Sequence, residues 1–173
     1  MNIHAFLLPV FIICLLLISY QDIRYRSVPV YIFSVAFISA LVIQYDRCGM
    51  DQLFVWQIIC NSIFIVLNFL FVFLYVKKVK KIPLKDAIGL GDLVFYMVLI
   101  PFLNTPAFMY FHIVSLMLVL ITYPMLKNKL SLINRSIPLA GLQACCLIFF
   151  LILFEYCIPE KSITGSCSII YWI

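Results

Sequence analysis

The stretch Gly89-Leu90-Gly91-Asp92 places a carboxylate where a lysine-rich polar segment (Lys77 to Lys85) passes into an apolar run (Leu93 to Leu103). A carboxylate at such a border is costly in an apolar chain unless it is used. The glycines at 89 and 91 remove side chains on both sides of Leu90, so another backbone can come close and the chain can leave helical geometry there. A second aspartate, Asp22, has matching surroundings, following the apolar run Ile3 to Tyr20 and preceding Arg24 and Arg26. Two carboxylates held close do not both ionise at low cost, so such a pair keeps one proton between its members. An acid beside a base is the equipment for activating a water and assisting a carbonyl oxygen.

The elements that must position this pair follow from composition. Of 173 residues, 66% are hydrophobic and 11% charged, and the mean hydropathy is +1.17, which excludes a water-soluble domain. Apolar segments run from Ile3 to Tyr20, Val28 to Tyr45, Leu53 to Val76, Leu93 to Leu103, Ala107 to Leu126 and Leu139 to Ile158. All but the fourth have the about 17–25 residues that a bilayer crossing needs. None shows period-2 alternation, which argues against a barrel. The expected fold is all-α, a polytopic membrane protein with six transmembrane helices in a single domain over residues 1–173. The first segment has neither a basic leader nor a small-residue cleavage site, so it reads as a retained helix.

Charge sets the expected topology. Arg24 and Arg26 lie in the first loop, Lys77, Lys78, Lys80, Lys81 and Lys85 in the third, and Lys127, Lys129 and Arg135 in the fifth, which leaves only Arg47 and Lys161 elsewhere. Basic loops stay on the cytoplasmic side, so both termini face outward and both aspartates lie at the cytoplasmic face. The lysine run suits anionic lipid headgroups; loops this short make no folded basic surface for nucleic acid.

Arg26-Ser27-Val28-Pro29, Lys81-Ile82-Pro83 and Arg135-Ser136-Ile137-Pro138 each precede an apolar run and read as helix starts. A fourth helix beginning at Pro83 would then be long enough to cross. Unbroken, it would bury Asp92 about 13 Å below its start at about 1.5 Å per residue, whereas Asp22 is expected just past the end of the first helix. For the two to meet, either the glycine pair unwinds or Asp22 is drawn inward by a water-filled dip.

Gln57, Asn61 and Asn68 fall on one face of the third helix and read as interhelical hydrogen-bonding residues. His4 and His112 stand alone and read as packed or interfacial. The seven cysteines show no C-x-x-C spacing and no nearby histidine, which gives a metal site no support. Cys48 could form a disulfide with Cys157 or Cys167 on the outer side. Glu155, Asp46 and Asp51 are on the wrong side to meet Asp92, and Asp86, six residues away, points elsewhere on regular helical geometry.

With Gln21-Asp22-Ile23-Arg24-Tyr25-Arg26-Ser27-Val28-Pro29 after the first helix and Gly89-Leu90-Gly91-Asp92 before the fourth, the chain resembles the type IV prepilin peptidases, six-helix aspartic membrane proteases of the G-x-G-D class. The resemblance covers nearly the whole chain. It extends to the length of the short Tad-type members that lack the methyltransferase insertion with paired cysteines, and to Ile137-Pro138-Leu139 at the start of the last helix. It implies that Asp22 and Asp92 are the catalytic pair with Gly89 and Gly91 as backbone support, and that no cofactor is used. It further implies an endopeptidase of the bacterial inner membrane, which removes a short basic leader from prepilin or pseudopilin substrates at the cytoplasmic face and serves a pilus or secretion machinery. Two departures stand out. Leu93-Val94 follows Asp92 where members often carry Val-Lys, and Gln21 separates Tyr20 from Asp22 where presenilin-like members carry Tyr-Asp. The rival reading is a small transporter or channel in which Asp22 and Asp92 form a proton or cation site and the glycines break a helix.

Overall fold

A computed structural model describes residues 3–49, 52–80, 89–129 and 139–157. Among them the chain forms six α-helices, α1 (Ile3–Tyr25), α2 (Val30–Cys48), α3 (Gln52–Tyr75), α4 (Leu90–Phe102), α5 (Thr105–Lys129) and α6 (Leu139–Cys157), with a π-helical extension of α3 at Val76–Lys80. Three stretches are long and apolar enough to cross a membrane, Phe6–Tyr25, Gln52–Lys78 and Thr105–Thr122. The apolar parts of α2, α4 and α6 are shorter.

Helix α1 packs against α2 and α6, α2 against α4, and α6 against α4 and α5, while α3 rests on α4 and α5; α3 and α5 also reach the core, through Ile65 and through Phe108 and Phe111. In lipid the apolar side chains gain little by leaving one hydrocarbon for another, so close fit and interhelical hydrogen bonds hold the bundle. The contact faces accordingly mix large and small residues. Phe11, Leu15 and Ile18 of α1, at helical spacing, are buried against a centre that includes Ala36 and Ala40 of α2, Phe95 and Leu99 of α4, and Ala144 and Leu147 of α6. The Phe11 and Phe102 rings lie 4.4 Å apart.

The helix boundaries correct one expectation and favour one of two alternatives left open, the break at the glycines. Asp22 lies inside the last turn of α1, not beyond it. Arg26 ends that helix in the left-handed region with φ 57°, its N–H donating to the Asp22 carbonyl at 3.2 Å. Helix α4 begins at Leu90, because Gly89 is extended (φ −72°, ψ 132°) and serves as its N-cap. No helix therefore runs unbroken from Pro83 through Asp92, and Asp92 is the third residue of a helix instead of lying nine residues deep in one. Lys81-Ile82-Pro83, Asp86 and the Arg135 to Pro138 stretch lie outside the described residues, as does the side chain of Cys48. Pro29 does precede the first residue of α2.

The short α4 ends inside the bundle, and its last carbonyls lack intrahelical donors. Two amides of α3 supply them. Asn61 Nδ2 donates to the carbonyls of Ile100 at 3.0 Å and Leu103 at 2.9 Å, and Gln57 Nε2 donates to Leu103 at 3.0 Å. Asn68 departs from the expectation: its amide turns back to the Phe64 carbonyl of its own helix, at 2.8 Å. Asn104 then caps α5, its Oδ1 accepting from the Ala107 N–H at 3.0 Å. Replacing Asn61 by Leu, which strands the Ile100 carbonyl and leaves that of Leu103 to Gln57 alone, is expected to lower the unfolding free energy in mixed micelles by about 1–2 kcal/mol. Asn68→Leu should change it by a few tenths at most, and equal losses would contradict this account of how α4 ends.

Candidate active site

The end of α1 and the starts of α4 and α6 come together at one end of the bundle, and Asp22, Asp92 and the first turn of α6 meet there. The first amides of an α-helix have no acceptor within the helix, and they carry the positive end of its dipole. In α6 those amides are taken by the two carboxylates. The Ala140 N–H donates to Asp92 Oδ1 at 2.8 Å, and the next N–H, of Gly141, donates to Asp22 Oδ2 at 2.6 Å. Two aspartates 70 positions apart in the chain are thereby bound to successive backbone donors.

Each carboxylate is also set by its own helix. Asp92 is third in α4, the position from which a side chain can reach back to the N-cap amide, and its carboxylate accepts from the Gly89 N–H. That close return is why residue 89 lacks a side chain. A Cβ there would stand 2.9 Å from Asp92 Oδ2. Asp22 leaves the last turn of α1 half-buried, as Asp92 is in α4. The negative charge of Asp22 bears on Asp92, and the positive charge of Arg26 bears on both. Arg26 holds its left-handed φ without being glycine, a conformation that costs about 1–2 kcal/mol and is found where the surroundings over-determine it, often at functional sites.

Of the expected site residues, Asp22, Asp92 and Gly89 are brought together. Gly91 is different, since a Cβ placed on it would meet nothing within 4 Å; its missing side chain answers no contact within the described chain. The glycine that does make room is one that sequence reasoning passed over. A Cβ on Gly141 would lie 3.0 Å from both Asp22 Cβ and Asp22 Oδ2 and 3.2 Å from Ile23 Cγ1. The available signal was a glycine in the first turn of an apolar helix, in a chain that has only 5, where alanine would be better by about 1 kcal/mol unless something approaches closely.

These contacts separate the glycines by experiment. Gly141→Ala crowds the Asp22 side chain at its root and is expected to destabilise the detergent-solubilised protein by about 1–3 kcal/mol, read as a fall in thermal midpoint. Gly91→Ala should leave the midpoint unchanged or slightly raised. The reverse order would mean that the two glycines have each other's surroundings.

No curated protein and no solved structure matches the chain. A profile described as the type IV leader peptidase family matches residues 9–153, a span that takes in Asp22, the Gly89 to Asp92 stretch and the first turn of α6. With both carboxylates and the amides that hold them inside that match, the chain belongs to the type IV leader peptidase family.

Proposed function

We propose that the protein is an aspartic endopeptidase in which Asp22 and Asp92 are the catalytic pair, acting at the cytoplasmic face of the bacterial inner membrane on prepilin-like or pseudopilin substrates. The observation that carries this reading is the attachment of both carboxylates to successive amides of α6. Groups so held cannot drift apart, and their shared field favours a single proton between them. The ionised member takes a proton from a water, and the resulting hydroxide attacks the scissile carbonyl. The protonated member hydrogen-bonds to the carbonyl oxygen as it gains charge, and the tetrahedral intermediate collapses when the leaving amine is protonated. The pair alone supplies the acid and the base of these steps.

Family membership supports a substrate with a short basic leader and an apolar helix. The open space beside Gly91 leaves room for a substrate backbone next to Asp92. All six helices cross the bilayer in this reading, which forms one domain over residues 1–173 with both termini outside, and the basic loops hold the pair on the cytoplasmic side. Pilus or secretion machinery is the corresponding partner.

Replacing either aspartate by Asn keeps the shape and removes the ionisation. Asp22→Asn and Asp92→Asn should each lower cleavage of a prepilin in detergent by on the order of 10³-fold or more, and the double variant should be no worse than either single one, because members of one catalytic unit are not additive. Asp86→Asn should be far milder. Near-parental processing by Asp22→Asn would end the assignment.

Orientation is tested separately. A cysteine introduced at Arg24 or Lys80 should be shielded from an impermeant thiol reagent in intact cells, and one introduced at Asp51 should be labelled. The opposite pattern would put the aspartates outside, away from a cytoplasmic leader.

A further inference from the structure

One helical turn below the aspartates lies a buried polar cluster that the peptidase chemistry does not use. Gln143 of α6 is wholly buried, and Tyr96 of α4 and Ser115 of α5 are 3% and 1% exposed. The two donors of one side-chain amide tie the three helices together. Gln143 Nε2 donates to the Tyr96 hydroxyl at 2.7 Å and to Ser115 Oγ at 3.3 Å. Ser115 donates onward to the His112 carbonyl at 3.1 Å, and the His112 ring stands 5.2 Å from that of Tyr96. Tyr96 is four residues after Asp92 and Gln143 is two after Gly141, so each lies about one turn or less from the group it would control.

We propose that Gln143 is a positioning residue for the aspartate pair: by gripping Tyr96 and Ser115 it sets the rotation and height of α6 against α4, and with them the direction of the Ala140 and Gly141 amides. The inference rests on the peptidase reading above. The amide-to-carboxylate bonds cannot by themselves hold this register through the reaction. They weaken and strengthen as charge leaves one carboxylate and arrives at the other, while the frame has to stay fixed. A slip of one residue along a helix moves an amide by about 1.5 Å and turns it by about 100°, and a misplacement of about 1 Å can cost on the order of 100-fold in rate. A bond network remote from the moving charge supplies the fixed point.

The pattern of used and unused atoms supports this. Gln143 spends its donors on two other helices, whereas its Oε1, buried, has no hydrogen-bond partner among the described residues. Its donors are what the fold uses. Tyr96 accepts in that bond, so its own hydroxyl proton is not consumed by it, and the charge of Asp92 reaches the phenol.

The test measures kcat and KM for prepilin cleavage by full-length protein in detergent, per molecule of folded enzyme, for the parent, Gln143→Met, Tyr96→Phe and the double variant. Methionine keeps the volume and loses both donors. Phenylalanine keeps the ring beside His112 and removes the oxygen that Gln143 reaches, and as the near-isosteric change it keeps the test decisive if Gln143→Met folds poorly. A positioning role predicts a kcat lowered by on the order of 10-fold or more with KM within about two-fold of the parent, a smaller loss of the same kind for Tyr96→Phe, and a double variant no worse than Gln143→Met. Unchanged kcat in the folded fraction of both single variants would overturn the proposal, reducing the cluster to packing, while the peptidase reading stood. A parent protein that left prepilin intact would sink the peptidase reading itself and this inference with it.

Discussion

The amides that open a helix must be satisfied, and at membrane depth there is little water to do it. In this chain the opening amides of α6 are met by carboxylates from two other helices. The same two bonds solve the opposite difficulty, since a carboxylate in an apolar surround needs donors and positive potential, and a helix start offers both. Each side's cost is offset by the other's. Much of the remaining structure serves to bring the three helix ends to one place: α6 packs along α1, and α4 packs between α2 and α6.

Small residues make that meeting close enough. Gly141 lets the root of Asp22 approach the α6 backbone, and Gly89 lets the Asp92 carboxylate fold back onto its own N-cap. Arg26 bears on both carboxylates from a left-handed backbone at the end of α1. Farther down, Asn61 and Gln57 satisfy the carbonyls where α4 stops short. The helix that carries Asp92 is thus tied at both ends, by Ala140 at its start and by α3 at its finish. A short, doubly anchored helix is a rigid mount for the carboxylate it carries.

The all-helical character and the pairing of Asp22 with Asp92 were legible in the sequence, because hydropathy marks helices and an ionisable residue at a membrane border marks use. The burial of His112 against Phe64 and Tyr96 was legible for a similar reason, as a lone histidine has few other fates in an apolar chain. What escaped was everything that rests on backbone groups. The amides of Ala140 and Gly141 leave no mark in residue type, so the contact that joins the pair could not be read. Gly91 and Gly141 look alike on paper and differ only in what stands opposite them. The extent of α1 was misjudged because Gln21, Asp22 and Arg24 are polar, yet they continue its last turn. Asn68 was assigned to a neighbouring helix from its face alone, although an amide in a helix can equally turn to the carbonyl four residues back.

The central claim, that Asp22 and Asp92 are bound one each to the Gly141 and Ala140 amides, is tested most directly by the amide resonances of those two residues in isotopically labelled protein. Short bonds to carboxylates shift amide protons downfield. Asp22→Asn should move the Gly141 amide proton upfield and leave that of Ala140 near its place, and Asp92→Asn should do the converse. Two amide resonances that ignore both substitutions would contradict the account.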